Sequence, residues 1–325
     1  MTHPSSPDSS YFVGIDVAKA TLDLARSDVR KITTTANDAD GIRQIVDSLR
    51  STPPGMIVVE STGGLERPLL DALLDADLPV ALVNPRNVRH FAIGIGVIAK
   101  SDPIDALVLA EFARLASPRL SEKRSANQVE LEALTTCRRQ LTQLRAIQQN
   151  RNFSTVSKTA LKTNDAVLRS LSREIEKLDR KIRALVESDD DFNSIDKLLQ
   201  SVPGVGAVVS ATLLAELKEL GTTDRRRISA LVGVAPYNDD SGTVKGKRSI
   251  SGGRASIRSA LYMATLVAMR FNPVIKAFAD RLSKHAKPKK VQIVACMRKL
   301  LGFLNVMIRD RLTWNQLSVV KALAI

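Results

Sequence analysis

Four carboxylates in the first third of the chain have the spacing and setting to hold a hard metal ion. Asp16 lies inside an apolar run, Gly14-Ile15-Asp16-Val17-Ala18-Lys19. An ionised Asp flanked by Ile and Val is costly to bury without a partner. Glu60 ends a second apolar run, in Val58-Val59-Glu60-Ser61-Thr62-Gly63. Asp102 and Asp105 follow in Lys100-Ser101-Asp102-Pro103-Ile104-Asp105-Ala106, where Asp-Pro reads as the start of a helix. Their spacing puts both near one face of the first turn. Carboxylates gathered in this way repel one another, and oxygen-only ligands favour Mg²⁺ or Mn²⁺ as the counter-charge. Two such ions about 3.5–4 Å apart are a device for attacking phosphodiesters. Singly, Asp102 could only cap a helix and Asp105 only face water. Placement at a strand, a strand end and a helix start gives the four a common purpose.

A second set of reactive residues lies far downstream. Ala235-Pro236-Tyr237-Asn238-Asp239-Asp240-Ser241-Gly242 is followed by Thr243-Val244-Lys245-Gly246-Lys247-Arg248-Ser249-Ile250-Ser251-Gly252-Gly253-Arg254. Asn-Asp-Asp-Ser-Gly is turn chemistry, and a serine there is ordinarily structural. Here Lys245, Lys247, Arg248, Arg254 and Arg258 surround Ser241 with positive charge. A serine hydroxyl attacks phosphorus well only when its proton is removed and the phosphate charge is neutralised. The basic, Gly-rich stretch meets the second need; Asp239 and Asp240 do not obviously meet the first. Ser249 and Ser251 compete with Ser241 on sequence grounds alone. Upstream, Pro203-Gly204-Val205-Gly206 precedes an apolar helix and resembles a helix-hairpin-helix element, which grips nucleic-acid backbone; a plain helix–helix turn is the alternative. Downstream, Arg281 to Lys290 is a dense basic run in which Lys287, Lys289 and Lys290 are candidates for backbone contact or for a solvated loop.

The elements that must position these residues change along the chain. The first third reads as three strands, helix, strand, helix, strand, helix: Tyr11–Val17, Thr21–Ala25, Lys31–Thr35, Asp40–Leu49, Met56–Val59, Leu69–Leu74, Pro79–Val83 and Ile104–Leu115. This pattern predicts an α/β sheet of mixed direction. The middle reads as two helices with a polar loop or frayed extension over 150–165. Leu171, Ile175, Leu178, Ile182 and Leu185 form a heptad seam, suited to a coiled-coil arm or a dimer contact as well as to an ordinary bundle helix. The last third is helical around the basic interruption. The expected domains are 1–122, a carboxylate-bearing α/β domain; 123–194, a helical coiled-coil arm; and 195–325, a basic helical domain carrying the serine.

Charge follows the same division. Residues 1–120 have 12 Lys/Arg against 15 Asp/Glu, while residues 195–325 have 22 against 8. The net charge of +14 points to a polyanion partner, with the C-terminal third as the surface that meets it. Aromatic residues are only 4%, which argues against a single-strand-binding platform. Cys137 and Cys296 are too few for a disulfide scaffold or a cysteine zinc site, and they fit a reducing compartment. No apolar run reaches the length of a membrane span, and the polar N-terminus lacks a signal pattern. A cytoplasmic protein with no membrane partner is expected.

On these motifs the chain resembles the DEDD-type insertion-sequence transposases of family one-ten, which include the Piv-like DNA invertases. The resemblance rests on Gly14 to Lys19, Glu60 to Gly63, Asn84-Pro85 and Ala99 to Ala106. It continues in the C-terminal part through Gly233 to Pro236, Ser241-Gly242, Gly246, Ile250-Ser251, Gly253 and Leu261-Tyr262. Ser101, where Thr is frequent, and Gly252, where Lys is expected, are small departures. The resemblance implies a ribonuclease H/RuvC-like N-terminal domain, with Asp16, Glu60, Asp102 and Asp105 as the metal-binding tetrad. It implies Ser241 as a nucleophile that forms a phosphoserine intermediate without a free double-strand break. It also implies target and donor DNA as substrates, a structured guide RNA as partner, and a homo-oligomer, dimer or tetramer, with a composite site.

Three rival readings remain open on sequence. A RuvC-like structure-specific nuclease would use metal-activated water and make Ser241 dispensable. A sugar-kinase-like ATPase would share the Gly-Ile-Asp-x-x-x-Lys strand, but its second phosphate loop and adenosine motif are missing. A non-catalytic DNA-binding protein would leave the four carboxylates unexplained.

Overall fold

Unit 1 is built by alternation. In β1 (Val13–Val17), Val13, Ile15 and Val17 are buried on one face, while Gly14 and Asp16 take the other. The computed structural model describes residues 11–29, 31–97, 102–238, 240, 241, 244–246, 248–285 and 288–317, with backbone alone at 102, 103, 244 and 245. The chain divides into two units, Met1–Arg124 and Ser125–Ile325.

After β1 come β2 (Thr21–Arg26), β3 (Ile32–Ala36), α1 (Ala39–Ser51), β4 (Ile57–Glu60), α2 (Arg67–Asp75), β5 (Val80–Val83), α3 (Pro85–Gly94) and α4 (Asp102–Ala116). The five strands form one sheet in the order β3-β2-β1-β4-β5. β1 pairs antiparallel with β2 and parallel with β4; β5 extends the sheet parallel to β4. Ile42, Ile45 and Leu49 of α1 and Leu69, Leu70 and Leu73 of α2 cover the face bearing Ile15, Ile57 and Val59. Val88 and Ala92 of α3 and Val108, Leu109 and Ala113 of α4 cover the face bearing Val58, Ala81 and Val83. The mixed α/β sheet is as the sequence leads one to expect. Helix α3 is an addition, although its start is written in the sequence: Asn84 accepts from the Arg86 N–H at 2.9 Å and Pro85 takes the first helical position.

Unit 2 is mostly helical: α5 (Ala126–Ser154), α6 (Lys158–Ser188), α7 (Asp190–Gln200), α8 (Ala207–Glu216), α9 (Arg225–Val232), β6 (Pro236–Tyr237), β7 (Asp240–Ser241), β8 (Val244–Lys245), β9 (Ser249–Ile250), α10 (Ala255–Phe271), α11 (Pro273–Lys284) and α12 (Lys289–Asp310). Helices α5 and α6 form an antiparallel hairpin. Asn127–Asp189, Arg138–Asp179, Gln148–Asn164 and Asn152–Asp165 bond in opposite chain order along it. The loop expected over 150–165 is therefore corrected: only 155–157 link the helices. Nothing between 126 and 188 is Gly or Pro, so polar side chains alone do not stop the helices. Within the seam, Ile175 and Ile182 are buried while Leu171, Leu178 and Leu185 are half-buried. Asp189 ends α6 and caps α7, accepting from the Phe192 N–H at 3.0 Å. Helix α12 is long and apolar enough to cross a membrane by composition, but 61% of its apolar window is buried in the core, where Cys296, Leu300 and Leu304 have no exposure.

Candidate functional site

The register of β1 on β4 decides where the first two carboxylates stand. Gly14 pairs with Val58 and Ile15 with Val59, so Asp16 and Glu60 occupy the next matched positions on adjacent parallel strands. Both fall on the face covered by α4, because alternation carries Gly14 to Asp16 and Val58 to Glu60. A Cβ on Gly14 would lie 2.3 Å from the Ala106 carbonyl oxygen and 2.3 Å from the Ala110 nitrogen, so α4 rests directly on the β1 backbone.

Helix α4 runs against the parallel strands. Phe112, late in α4, stacks edge-on against Phe91, with ring centroids 5.2 Å apart. Ser121, beyond α4, reaches the beginning of β5, where its N–H donates to the Val80 carbonyl at 2.8 Å and its Oγ accepts from the Leu82 N–H at 3.0 Å. The start of α4, with Asp102 and Asp105, therefore faces the carboxyl ends of β1 and β4. Asp16, Glu60 and Asp105 are half-buried. The side chain of Asp102 lies outside the described residues. Among the described residues, no group of three or more His, Cys, Asp or Glu is close enough to hold a metal ion. The oxygen-only donor set at this end of the sheet fits Mg²⁺ or Mn²⁺ by chemistry.

Two further carboxylates at this end escape motif reading. Asp23 of β2 stands directly opposite Asp16 across the antiparallel ladder and is 9% exposed. The Thr34 hydroxyl of β3 donates to it. Its only sequence signal is its place in the alternation of Thr21–Ala25. Glu66 is 2% exposed and binds the turn that follows Glu60, accepting from the Thr62 N–H at 3.0 Å and the Gly64 N–H at 2.8 Å. The Thr62 hydroxyl donates back to the Glu60 carbonyl at 3.1 Å.

In unit 2, Ser241 is exposed at the end of a nested hairpin. Strands β6 and β9 form the outer pair, Tyr237 opposite Ser249; β7 and β8 form the inner pair, Ser241 opposite Val244. The base of this excursion is clamped. Gly233 ends α9 at φ +76°, and a Cβ there would lie 2.2 Å from the Gly252 carbonyl oxygen. Arg254 forks onto Glu219 at 2.6 and 2.7 Å and also donates to the Glu216 carbonyl at 2.8 Å. Arg258 donates to the Gly252 carbonyl at 2.6 Å. Arg254 and Arg258, candidates for nucleic-acid contact, thus hold the hairpin base.

The remaining candidates are dispersed. Gly204, at φ +107°, is pressed against α10: a Cβ would lie 2.8 Å from the Ala264 carbonyl oxygen. Gly206 precedes α8 with open space around it. Arg248, Lys289 and Lys290 are exposed. The backbone of Lys245 is in β8, but its side chain, like the whole of Lys247 and Lys287, lies outside the described residues. A cavity of about 700 Å³ is lined from α5, α6, α7, α8 and α10. Two of its wall arginines are engaged, Arg138 with Asp179 and Arg139 with Glu216.

A mixed five-strand sheet with carboxylates at the carboxyl ends of its central strands, followed by a helical region, is a ribonuclease H-like nuclease domain joined to a helical one. Comparison with known families agrees. Residues 13–160 match the IS110 DEDD transposase family, and residues 196–280 match the transposase family IS116/IS110/IS902. The chain belongs to the IS110 family of transposases, an enzyme family acting on DNA, and its DEDD-type domain implies a divalent metal. It is similar to the pilin gene-inverting protein of Moraxella bovis, 29% identical over 317 residues, which cover 93% of this chain and 97% of that protein. It is also similar to the transposase for insertion sequence element IS1111A of Coxiella burnetii (strain RSA 493 / Nine Mile phase I), 22% identical over 260 residues, 71% of this chain and 70% of that one.

Proposed function

We propose that this transposase cuts and rejoins DNA with the Ser241 hydroxyl as nucleophile and with Asp16, Glu60, Asp102 and Asp105 as the metal-holding group. The observation that carries the reading is the presence, in one chain, of carboxylates at the carboxyl ends of a ribonuclease H-like sheet and an exposed serine on a clamped hairpin. A bound Mg²⁺ or Mn²⁺ would neutralise charge on the phosphate under attack. In the reaction, Ser241 Oγ forms a bond to phosphorus, the bond from phosphorus to a sugar oxygen breaks, and the serine proton is passed on as that oxygen gains one. A strand hydroxyl then attacks the phosphoserine, releasing Ser241 and rejoining DNA with no net hydrolysis.

The +14 charge on 195–325 supports a nucleic-acid partner; the family resemblance alone adds target and donor DNA as substrates and a structured guide RNA as a further partner. Its resemblance to an inverting protein supports inversion or insertion of DNA segments as the outcome.

The test is to trap the intermediate. Incubation with element-end DNA and Mg²⁺, followed by protease digestion and mass spectrometry, is expected to give a nucleotide-bearing peptide modified at Ser241. Ser241→Ala is expected to lose both the adduct and strand cleavage. Cleavage that persists in Ser241→Ala would favour the RuvC-like nuclease with water as nucleophile. An adduct on Ser249 or Ser251 would reassign the nucleophile.

A further inference from the structure

Helix α12 has a glycine in its interior, Gly302, where Gly is about 1 kcal/mol less favourable than Ala. The side chain of Arg225, from the first turn of α9, lies across it: Arg225 Nε would be 3.4 Å from a Cβ at Gly302. One turn back along α12, Lys299 is half-buried, with its Nζ 4.4 Å from the ring centre of Phe278 and 5.8 Å from that of Phe303. Arg281 of α11 lies 5.2 Å from the same Phe278 ring. Burial, and then the like charges of Arg281 and Arg225, push the Lys299 ammonium below its usual value. Among the described residues, no carboxylate forms an ion pair with any of the three. Of the acids nearby in sequence, Asp224 caps α9 and pairs with Arg227, Asp310 pairs with Arg309, and Asp280, next to Arg281, is exposed. Three helices thus converge three cations that no described carboxylate pairs with, two of them beside one aromatic ring. Such an arrangement is unfavourable until an anion offsets it.

We propose that Arg225, Arg281 and Lys299 form a second nucleic-acid site, a clamp for the phosphodiester backbone separate from the Ser241 hairpin. Arg225 and Arg281 are exposed and Lys299 is half-buried. That suits a continuous chain of phosphates better than a single small phosphate. The Phe278 ring beside both Lys299 and Arg281 helps to hold the two cations next to each other. Duplex DNA and structured RNA present the same chemistry, and either can occupy the clamp. The inference rests on the DNA substrate implied by the family and not on the chemistry assigned to Ser241.

The experiment uses the full chain, a mixed-sequence DNA duplex and an RNA hairpin, with binding measured over a range of salt. Removing one cation from a phosphate lowers the slope of log affinity against log salt by roughly one unit. Arg225→Gln with Arg281→Gln is expected to lower it by about two units for at least one probe. Lys299→Arg is expected to keep the wild-type slope, and Lys299→Met to lower it by about one unit. The exposed pair Arg43→Gln with Arg50→Gln on α1 removes the same charge and is expected to leave the slope unchanged. Melting curves confirm that each variant is folded, and single Arg281→Gln replaces the double variant if that one is not. A change for DNA alone assigns the clamp to substrate, and a change for RNA alone assigns it to an RNA partner. If the wild type binds a probe while cluster and control variants show equal slopes, the clamp is overturned and the DNA reading stands. If the wild type binds neither probe, both fall.

Discussion

Asp16 has a carboxylate directly opposite it in Asp23 and another in register beside it in Glu60. Like charges placed opposite one another on a sheet are destabilising unless something offsets them. The proposed metal site would provide that offset. Asp16→Asn and Glu60→Gln are each expected to abolish strand cleavage, with EDTA having the same effect on the wild type, while thermal melting shows a fold at least as stable as before. Full cleavage in EDTA or in either variant would remove the metal site from the mechanism. Gly14 makes the opposite demand. Gly14→Ala is expected to cost about 1–3 kcal/mol or more, read from chemical denaturation, because its methyl would meet the α4 backbone. The tetrad candidates were legible because each sits in a distinctive local string. Asp23 and Glu66 were not, since their importance comes from strand register and a folded-back turn, neither of which leaves a local pattern.

At the scale of elements, the serine hairpin depends on its clamp. Charge along the sequence makes Arg254 a candidate for phosphate contact; in the fold its guanidinium also holds Glu219 and the Glu216 carbonyl. A partly exposed, two-pronged pair of this kind contributes about 1–2 kcal/mol. Arg254→Gln and Glu219→Gln are therefore both expected to slow strand cleavage by roughly tenfold, to speed proteolysis within 234–251, and to leave the salt slope of DNA binding unchanged. An Arg254 that instead contacts phosphate would lower the slope, and Glu219→Gln would then not mimic it. Charge runs reveal how much positive potential a segment has, but not which arginines the fold consumes. Helices show the same division. Those with a long apolar stripe were readable, whereas α9, three arginines before a short apolar turn, and α11, begun by Asn272-Pro273, needed their caps to be recognised: Asp224 accepts from the Arg227 N–H at 2.9 Å and Asn272 from the Val274 N–H at 3.1 Å.

At the scale of the whole molecule, the proposed reaction needs groups carried by both units: carboxylates in the first and Ser241 in the second. The heptad seam suggested an arm that pairs chains, yet part of it is buried within the chain, at Ile175 and Ile182. What the α5–α6 hairpin still offers a second copy is its far end, where Phe153 is 97% and Val156 93% exposed. Burying side chains of this kind is worth about 1.5–3 kcal/mol each. Phe153→Ser with Val156→Ser is accordingly expected to lower the oligomeric state seen by light scattering while leaving each chain folded. An oligomer also allows one protomer to supply the carboxylates and another the serine, and the family resemblance favours that arrangement. Mixing two inactive proteins, Asp102→Ala and Ser241→Ala, decides the matter. In a shared site, the serine of the first meets the intact carboxylates of the second, so a fraction of sites regains cleavage and a covalent protein–DNA product. In a site built within one chain, every site keeps a lesion and the mixture stays inactive. The expected result is partial recovery, abolished again when the Phe153→Ser and Val156→Ser changes are added to both proteins. Hetero-oligomers confirmed on DNA that yield no covalent product would confine each site to a single chain.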